Sequence, residues 1–227
     1  MRTFAEILAI AAARKGGEGA VLAGIAVPKS PEALAATPDD RWLATMAKGI
    51  FQAGISWKVV ENKWPGIEAA FHGFDINAVT FQPPDWLHDL CADPRIIRSP
   101  PKVEAILHNA ALIRRTSAGA GGFGRFIADW PGTDYAGLLQ WLASEGARLG
   151  GTTGGWVLRQ MGRDGYILSQ DVVARLGAEG VVDKAPGSKK GWAAVQAAFN
   201  RWQAESGLPL TTISRVLAQS IDAEEAQ

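Results

Sequence analysis

Apolar residues recur at helical spacing from the start of the chain. Phe4, Ile7, Leu8 and Ala11 fall on one face of a 3.6-residue repeat, and Gly16-Gly17 stops the run, which predicts a first helix. Prolines at 28, 31 and 38 read as a loop over 26–38 with a short helical turn. Asp39 and Asp40 then stand where they can cap a helix carrying Trp42, Leu43, Met46 and Ile50. The same patterning predicts helices over 59–71, 84–91, 102–116, 134–145, 153–162, 170–177, 189–206 and 210–220. β-Branched residues seldom alternate with polar ones, and Gly and Pro separate Ala- and Leu-rich stretches. The expected class is all-α.

At 227 residues and 47% hydrophobic content, the chain can bury a sizeable core. Residues 1–221 read as a single helical unit without a legible internal boundary, and only the acidic tail 222–227 is too polar to pack. The lone cysteine, Cys91, excludes an internal disulfide. His72, His88 and His108 lack the short spacing and thiolate neighbours of a zinc site, so neither a metal nor a cofactor is expected. No apolar stretch reaches signal-peptide or membrane-span length, and the expected location is cytoplasmic, with no membrane partner.

Formal net charge is zero, which argues against a general polyanion binder, but the distribution is uneven. Residues 1–94 carry eight basic and eleven acidic side chains, and the remainder fifteen and twelve. Arg95, Arg98, Lys102, Arg114 and Arg115 have only Glu104 as a local counter-charge. Such a patch suits phosphate binding, and it equally suits a solvated helix face.

The run Phe51-Gln52-Ala53-Gly54-Ile55-Ser56-Trp57 resembles the Gln-Ala-Gly-Leu-Ser-Trp signature of DNA-3-methyladenine glycosylase I. The likeness continues through Ala70-Phe71-His72-Gly73-Phe74-Asp75, Ile96-Ile97-Arg98 with Lys102, and His108-Asn109-Ala110. It resumes at Gly151-Thr152-Thr153 with Gln160 downstream, covering about residues 42–173. Five fragments in the family's order carry more weight than any one of them. The resemblance implies a helix-hairpin-helix glycosylase fold of two intimately packed helical lobes around a central cleft. It also implies double-stranded DNA as partner, and a monomer that flips an alkylated purine such as 3-methyladenine out of the duplex and hydrolyses its glycosidic bond.

By that likeness the hairpin corresponds to Arg148-Leu149-Gly150-Gly151-Thr152-Thr153, whose glycines would let a DNA phosphate approach the amides at a helix N-terminus. Arg98, Lys102 and Arg148 join Gly150, Gly151, Thr152 and Thr153 as expected DNA contacts. Lys48, Gly49, Phe51, Gln52, Ser56 and Trp57 are the expected base pocket, with Trp57 stacking on the base. Trp57 as a buried core residue, and Gly150-Gly151 as an ordinary turn between helices, are the plainer alternatives.

The resemblance breaks where the family places a glutamate against the cationic base: this chain has Gly49 there, beside Lys48. The family's zinc-binding histidine is matched by Asp171, and its partner cysteines have no counterpart. Asp171 and Glu18 are the candidate replacement acids. Asp171 can equally serve a helix dipole, and the Arg14 to Glu18 segment can simply end a helix. A non-catalytic binder of flipped or damaged DNA stays open beside the glycosylase. Leu210 to Ala218 superficially resembles the start of a helix-turn-helix regulator, but too little chain follows for a recognition helix, and one amphipathic helix explains its apolar positions better.

Overall fold

A computed structural model describes residues 1–83 and 85–222. Among these residues the chain is helical and has no strand. In order the helices are α1 (Phe4–Lys15), α2 (Glu18–Leu22), α3 (Pro31–Ala35), α4 (Asp39–Gln52), α5 (Trp57–Ala70), α6 (Ile76–Thr80) and α7 (Trp86–Ala92). They continue with α8 (Pro100–Ala120), α9 (Phe123–Asp129), α10 (Tyr135–Glu145), α11 (Thr153–Met161), α12 (Gln170–Ala178), α13 (Lys189–Ser206) and α14 (Leu210–Gln219). The all-α class stands. No helix of the described residues is long and apolar enough to cross a membrane. The expected acidic tail falls, beyond Asp222, outside the described residues.

The chain forms two compact units. The first takes Met1–Pro28, Pro131–Leu138 and the chain from Asp164 onward. Its α1 starts on a capping box in which Thr3 and Glu6 each satisfy the other's backbone N–H. Gly16 ends α1 at φ 84°, a left-handed position that glycine takes without a Cβ clash. Ile7, Val21, Leu176, Phe199, Trp202, Ile213 and Leu217 make its core. The C-terminal α14 is the amphipathic packing helix that its pattern predicts, with Leu210, Ile213, Val216 and Leu217 all buried. Asp164 caps it by accepting from the N–H groups of Leu210 and Thr211 at 3.0 and 2.9 Å.

The second unit, Lys29–Trp130 with Leu139–Arg163, is organised around α4. Trp42, Leu43, Met46, Ile50 and Phe51 bury the helix against α8, α9 and α11. Its N-cap is Pro38, which shifts Asp39 and Asp40 from the cap into the first turn. Asp39 there accepts from Phe123 N at 2.8 Å and from the Ser117 hydroxyl, so a carboxylate expected to start α4 instead ties it to the junction of α8 and α9. The short α2, α6 and α9 were not legible from periodicity, because five to seven residues show too few turns of pattern.

Candidate functional site

The last turns of α4, the start of α5 and one face of α11 enclose a pocket of about 430 Å³ within the second unit. From α4 come Thr45, Lys48, Gly49 and Gln52, which share a face at helical spacing. Gly54 takes a left-handed φ of 76° and reverses the chain, so that Ser56 becomes the N-cap of α5 and Trp57 its first residue. Trp57 and Glu61, one turn apart, form the second wall. Thr153, Trp156, Val157 and Gln160 of α11 form the third. Gly49 stands where α4 faces α11: a Cβ there would make ordinary contact with Val157 Cγ2 at 3.4 Å and Thr153 Cγ2 at 3.5 Å.

Aromatic surface lies open at this pocket. Trp57 is 55% exposed and Trp156 38%, and their rings meet edge to face with centroids 6.1 Å apart. Isolated exposed apolar residues are ordinary, but two tryptophans in contact beside a pocket offer an unfilled flat apolar surface. Polar groups flank it. The side-chain amides of Gln52 and Gln160 bond to no described residue, so both are available to a ligand edge. Thr45 is committed elsewhere, its hydroxyl donating to Arg41 O at 2.9 Å.

Among the described residues only two charged side chains line the pocket, and they neutralise each other. Lys48 Nζ lies 2.8 Å from Glu61 Oε1 and also sits 5.0 Å from the centroid of the Trp64 ring. Pro65, four residues beyond Glu61, lacks the N–H that would bond the Glu61 carbonyl in a regular helix.

Among the residues expected at the base pocket, Lys48, Gly49, Gln52 and Trp57 line this one, and Thr152 and Thr153 from the expected hairpin join them. Trp57 is thus not a core residue. Ser56 is exposed and occupies the N-cap position of α5 without a side-chain capping bond, beside the pocket but not lining it. Phe51 is fully buried and turns into the core, a step of about 100° around α4 from Gln52.

Lys102, expected to touch DNA, is instead buried, and donates to Phe51 O at 3.0 Å and Ala53 O at 2.7 Å. Burial, and then the nearby charge of Arg148, hold its pKa below the ordinary lysine value. The basic stretch as a whole is more engaged than its sequence implies. Arg95 pairs with Asp93 at 2.6 Å, Arg115 with Glu145 at 3.0 Å, and Arg114 lies over the Phe81 ring. Arg98 and Arg148 remain exposed, Arg148 donating from Nε to Pro101 O at 3.2 Å.

The expected hairpin is a turn over residues 146–152 joining α10 to α11, with Arg148 and Gly151 in the left-handed region at φ 58° and 60°. The amides of Thr153 and Gly154 close back on Gly150 O and Leu149 O at 3.3 and 3.1 Å. The N–H groups of Gly150, Gly151 and Thr152 have no acceptor among the described residues. The expected free amides therefore sit in the turn rather than at the start of the helix.

The two candidate acids lie in the first unit, and neither lines the pocket. Glu18 is exposed in the first turn of α2, after Gly16 has ended α1. Asp171 occupies the first turn of α12, where Ser169 is the cap. Glu61, Trp156 and Val157 escaped the sequence reading. The signal for α11 was present, since 153, 156, 157 and 160 share one face of a helix whose start was recognised. Nothing in the sequence pairs Glu61 with Lys48 across the turn. Among the described residues no three His, Cys, Asp or Glu side chains gather as metal ligands.

Residues 36–136 match the methyladenine glycosylase family. Similar solved structures include a 3-methyladenine DNA glycosylase I at 22% identity, covering 60% of this chain and 81% of its own, with a TM-score of 0.48. The 3-methyladenine DNA glycosylase I of Staphylococcus aureus matches at 23% identity over 56% of this chain and 77% of its own, with a TM-score of 0.49. No curated protein matches. The likeness to the methyladenine glycosylase family thus extends over residues 36–136, less than half of this chain.

Proposed function

We propose that this protein is a base-excision DNA glycosylase that takes an extruded, alkylated purine into the pocket between α4, α5 and α11 and hydrolyses its N-glycosidic bond. The observation that carries this reading is the open Trp57–Trp156 pair beside a pocket with two unengaged amides. A flipped base needs a flat apolar surface to replace its lost stacking and hydrogen-bond partners for its edge. An N-alkylated purine carries a positive charge and leaves readily, so extrusion and orientation supply much of the acceleration. Double-stranded DNA would be held by phosphate contacts to the free amides of Gly150, Gly151 and Thr152 and to the exposed Arg98 and Arg148.

The test is release of free methylpurine from methylated duplex DNA, measured together with affinity for a duplex carrying a tetrahydrofuran abasic site. Trp57→Ala and Trp156→Ala should each weaken lesion binding by about 1–3 kcal/mol, as loss of one stacking surface does, and leave undamaged-duplex binding nearly unchanged. Preferential lesion binding without any base release would favour a non-catalytic binder. That second reading draws on Glu61, the pocket carboxylate among the described residues, being already paired with Lys48.

A further inference from the structure

We infer that Glu61 is the residue by which this pocket selects a cationic nucleobase, and that Lys48 is the resting counter-ion the base displaces. The inference rests on the proposed function and assigns the charge recognition within that site.

Among the described residues Glu61 is the one carboxylate lining the pocket, and it stands one helical turn after Trp57. A flat cation entering between these groups meets an indole face and a carboxylate together, and both attract it. A neutral base gains only the stacking. The pocket therefore discriminates by charge, provided that Glu61 can be released from Lys48.

The observed pair permits that release. Lys48 and Glu61 side chains are 31% and 54% exposed, and an ion pair open to solvent to this degree is weakly held. Lys48 has a second attraction, the Trp64 ring, which keeps its ammonium placed when Glu61 turns to a ligand. A buried cation stacked on tryptophan, by contrast, has lost its water and interacts strongly with a nearby carboxylate. Lys48 in this arrangement also sets a threshold, since a ligand without positive charge cannot replace it at Glu61.

The experiment compares Glu61→Gln and Lys48→Met with wild type on two probes. One is methylated duplex DNA, scored by released 3-methyladenine and 7-methylguanine under single-turnover conditions. The other is the duplex with a neutral tetrahydrofuran site, scored by affinity. Glu61→Gln keeps the side-chain shape and should lower methylpurine release by about tenfold, chiefly through weaker substrate binding, because it removes the carboxylate charge that faces the base. Lys48→Met frees Glu61 and should raise release several-fold. Each substitution should shift affinity for the neutral site no more than it shifts affinity for undamaged duplex.

If folded Glu61→Gln releases methylpurines at the wild-type rate, Glu61 does not recognise the base and the inference fails while the proposed function stands. Equal loss on the charged and the neutral probe would overturn it too, since a merely structural pair would act on both. A wild-type protein that neither releases methylpurine nor prefers the abasic duplex would remove the proposed function, and this assignment with it.

Discussion

The Lys102 ammonium donates to the Ala53 carbonyl at 2.7 Å, and reaches the Phe51 carbonyl at 3.0 Å with a second N–H. These oxygens belong to the end of α4, where helical carbonyls have no intrahelical donor and carry the negative end of the helix dipole. A lysine from α8 thus closes the turn through Gly54 that aims Trp57 at the pocket. Lys102 thereby holds one wall of the pocket in place.

Lys102→Met keeps the buried stem and removes the ammonium, leaving two carbonyls without their charged donor. It should destabilise the fold by about 2 kcal/mol, the scale of charge-assisted hydrogen bonds lost from a buried site. Chemical denaturation measures that loss. A stability equal to wild type would mean that water caps α4 equally well, and that the lysine is not what fixes the turn.

This contact also explains what was legible in the sequence and what was not. The apolar repeat located α4, α8, α11, α13 and α14 within a few residues, since burial of one helix face leaves a periodic trace. The motif around Trp57 located two walls of the pocket. Charge was harder to read, because a lysine's role depends on what lies across space from it. Lys102 looks in sequence like a phosphate contact and in the structure is a buried cap. Phe51 and Gln52 are neighbours in one motif, yet a step of about 100° around the helix sends one into the core and the other to the pocket. Glu61 and Lys48 meet only because the chain reverses at Gly54 between them.

The turn before α11 yields a prediction about DNA. Gly151 is left-handed, a conformation that asparagine and aspartate tolerate better than other side chains. Gly151→Asn should bind duplex DNA nearly as well as wild type, whereas Gly151→Asp, of similar shape, places a negative charge against phosphate and should weaken binding to every sequence alike. Equal affinity of the two variants at low salt would show that phosphate does not approach this turn.

In the first unit, the buried Glu179 carboxylate carries a prediction about acid sensitivity. Its side chain is 1% exposed, pairs with Arg2 at 2.8 Å and Arg175 at 3.3 Å, and accepts from the Arg2 backbone N–H at 2.7 Å. Burial works to raise its pKa, but the hydrogen bonds and charge of Arg2, with Arg175, outweigh burial and hold the carboxyl below its ordinary value. A carboxyl with a depressed folded pKa adds stability that is full above the unfolded value, about 4.3, and is lost as pH falls through the folded one. Wild type should therefore melt progressively earlier below about pH 4.3, and Glu179→Gln should show a flatter acid limb. Glu179→Ala, which strands Arg175, should cost about 3 kcal/mol at neutral pH. An acid limb unchanged in Glu179→Gln would move the acid sensitivity to other carboxylates.

Gly49 supplies the last prediction, because it is an open position on the pocket wall that can test where charge is needed. A Cβ at this site meets methyl carbons of Val157 and Thr153 at 3.4–3.5 Å, ordinary contact distances, and the backbone is helical, so a longer side chain can be added without backbone strain. Gly49→Glu brings a carboxylate to the wall beside Lys48 and replaces a glycine within a helix, which should itself add about 0.5–1 kcal/mol of stability. In wild type the new acid should raise methylpurine release. In the Glu61→Gln background it should restore release, since attraction between a cationic base and a carboxylate depends on distance and not on which helix carries the charge. Failure of Gly49→Glu to improve either protein, with both variants folded and the lesion duplex still bound, would show that positive charge on the base is not what this pocket reads.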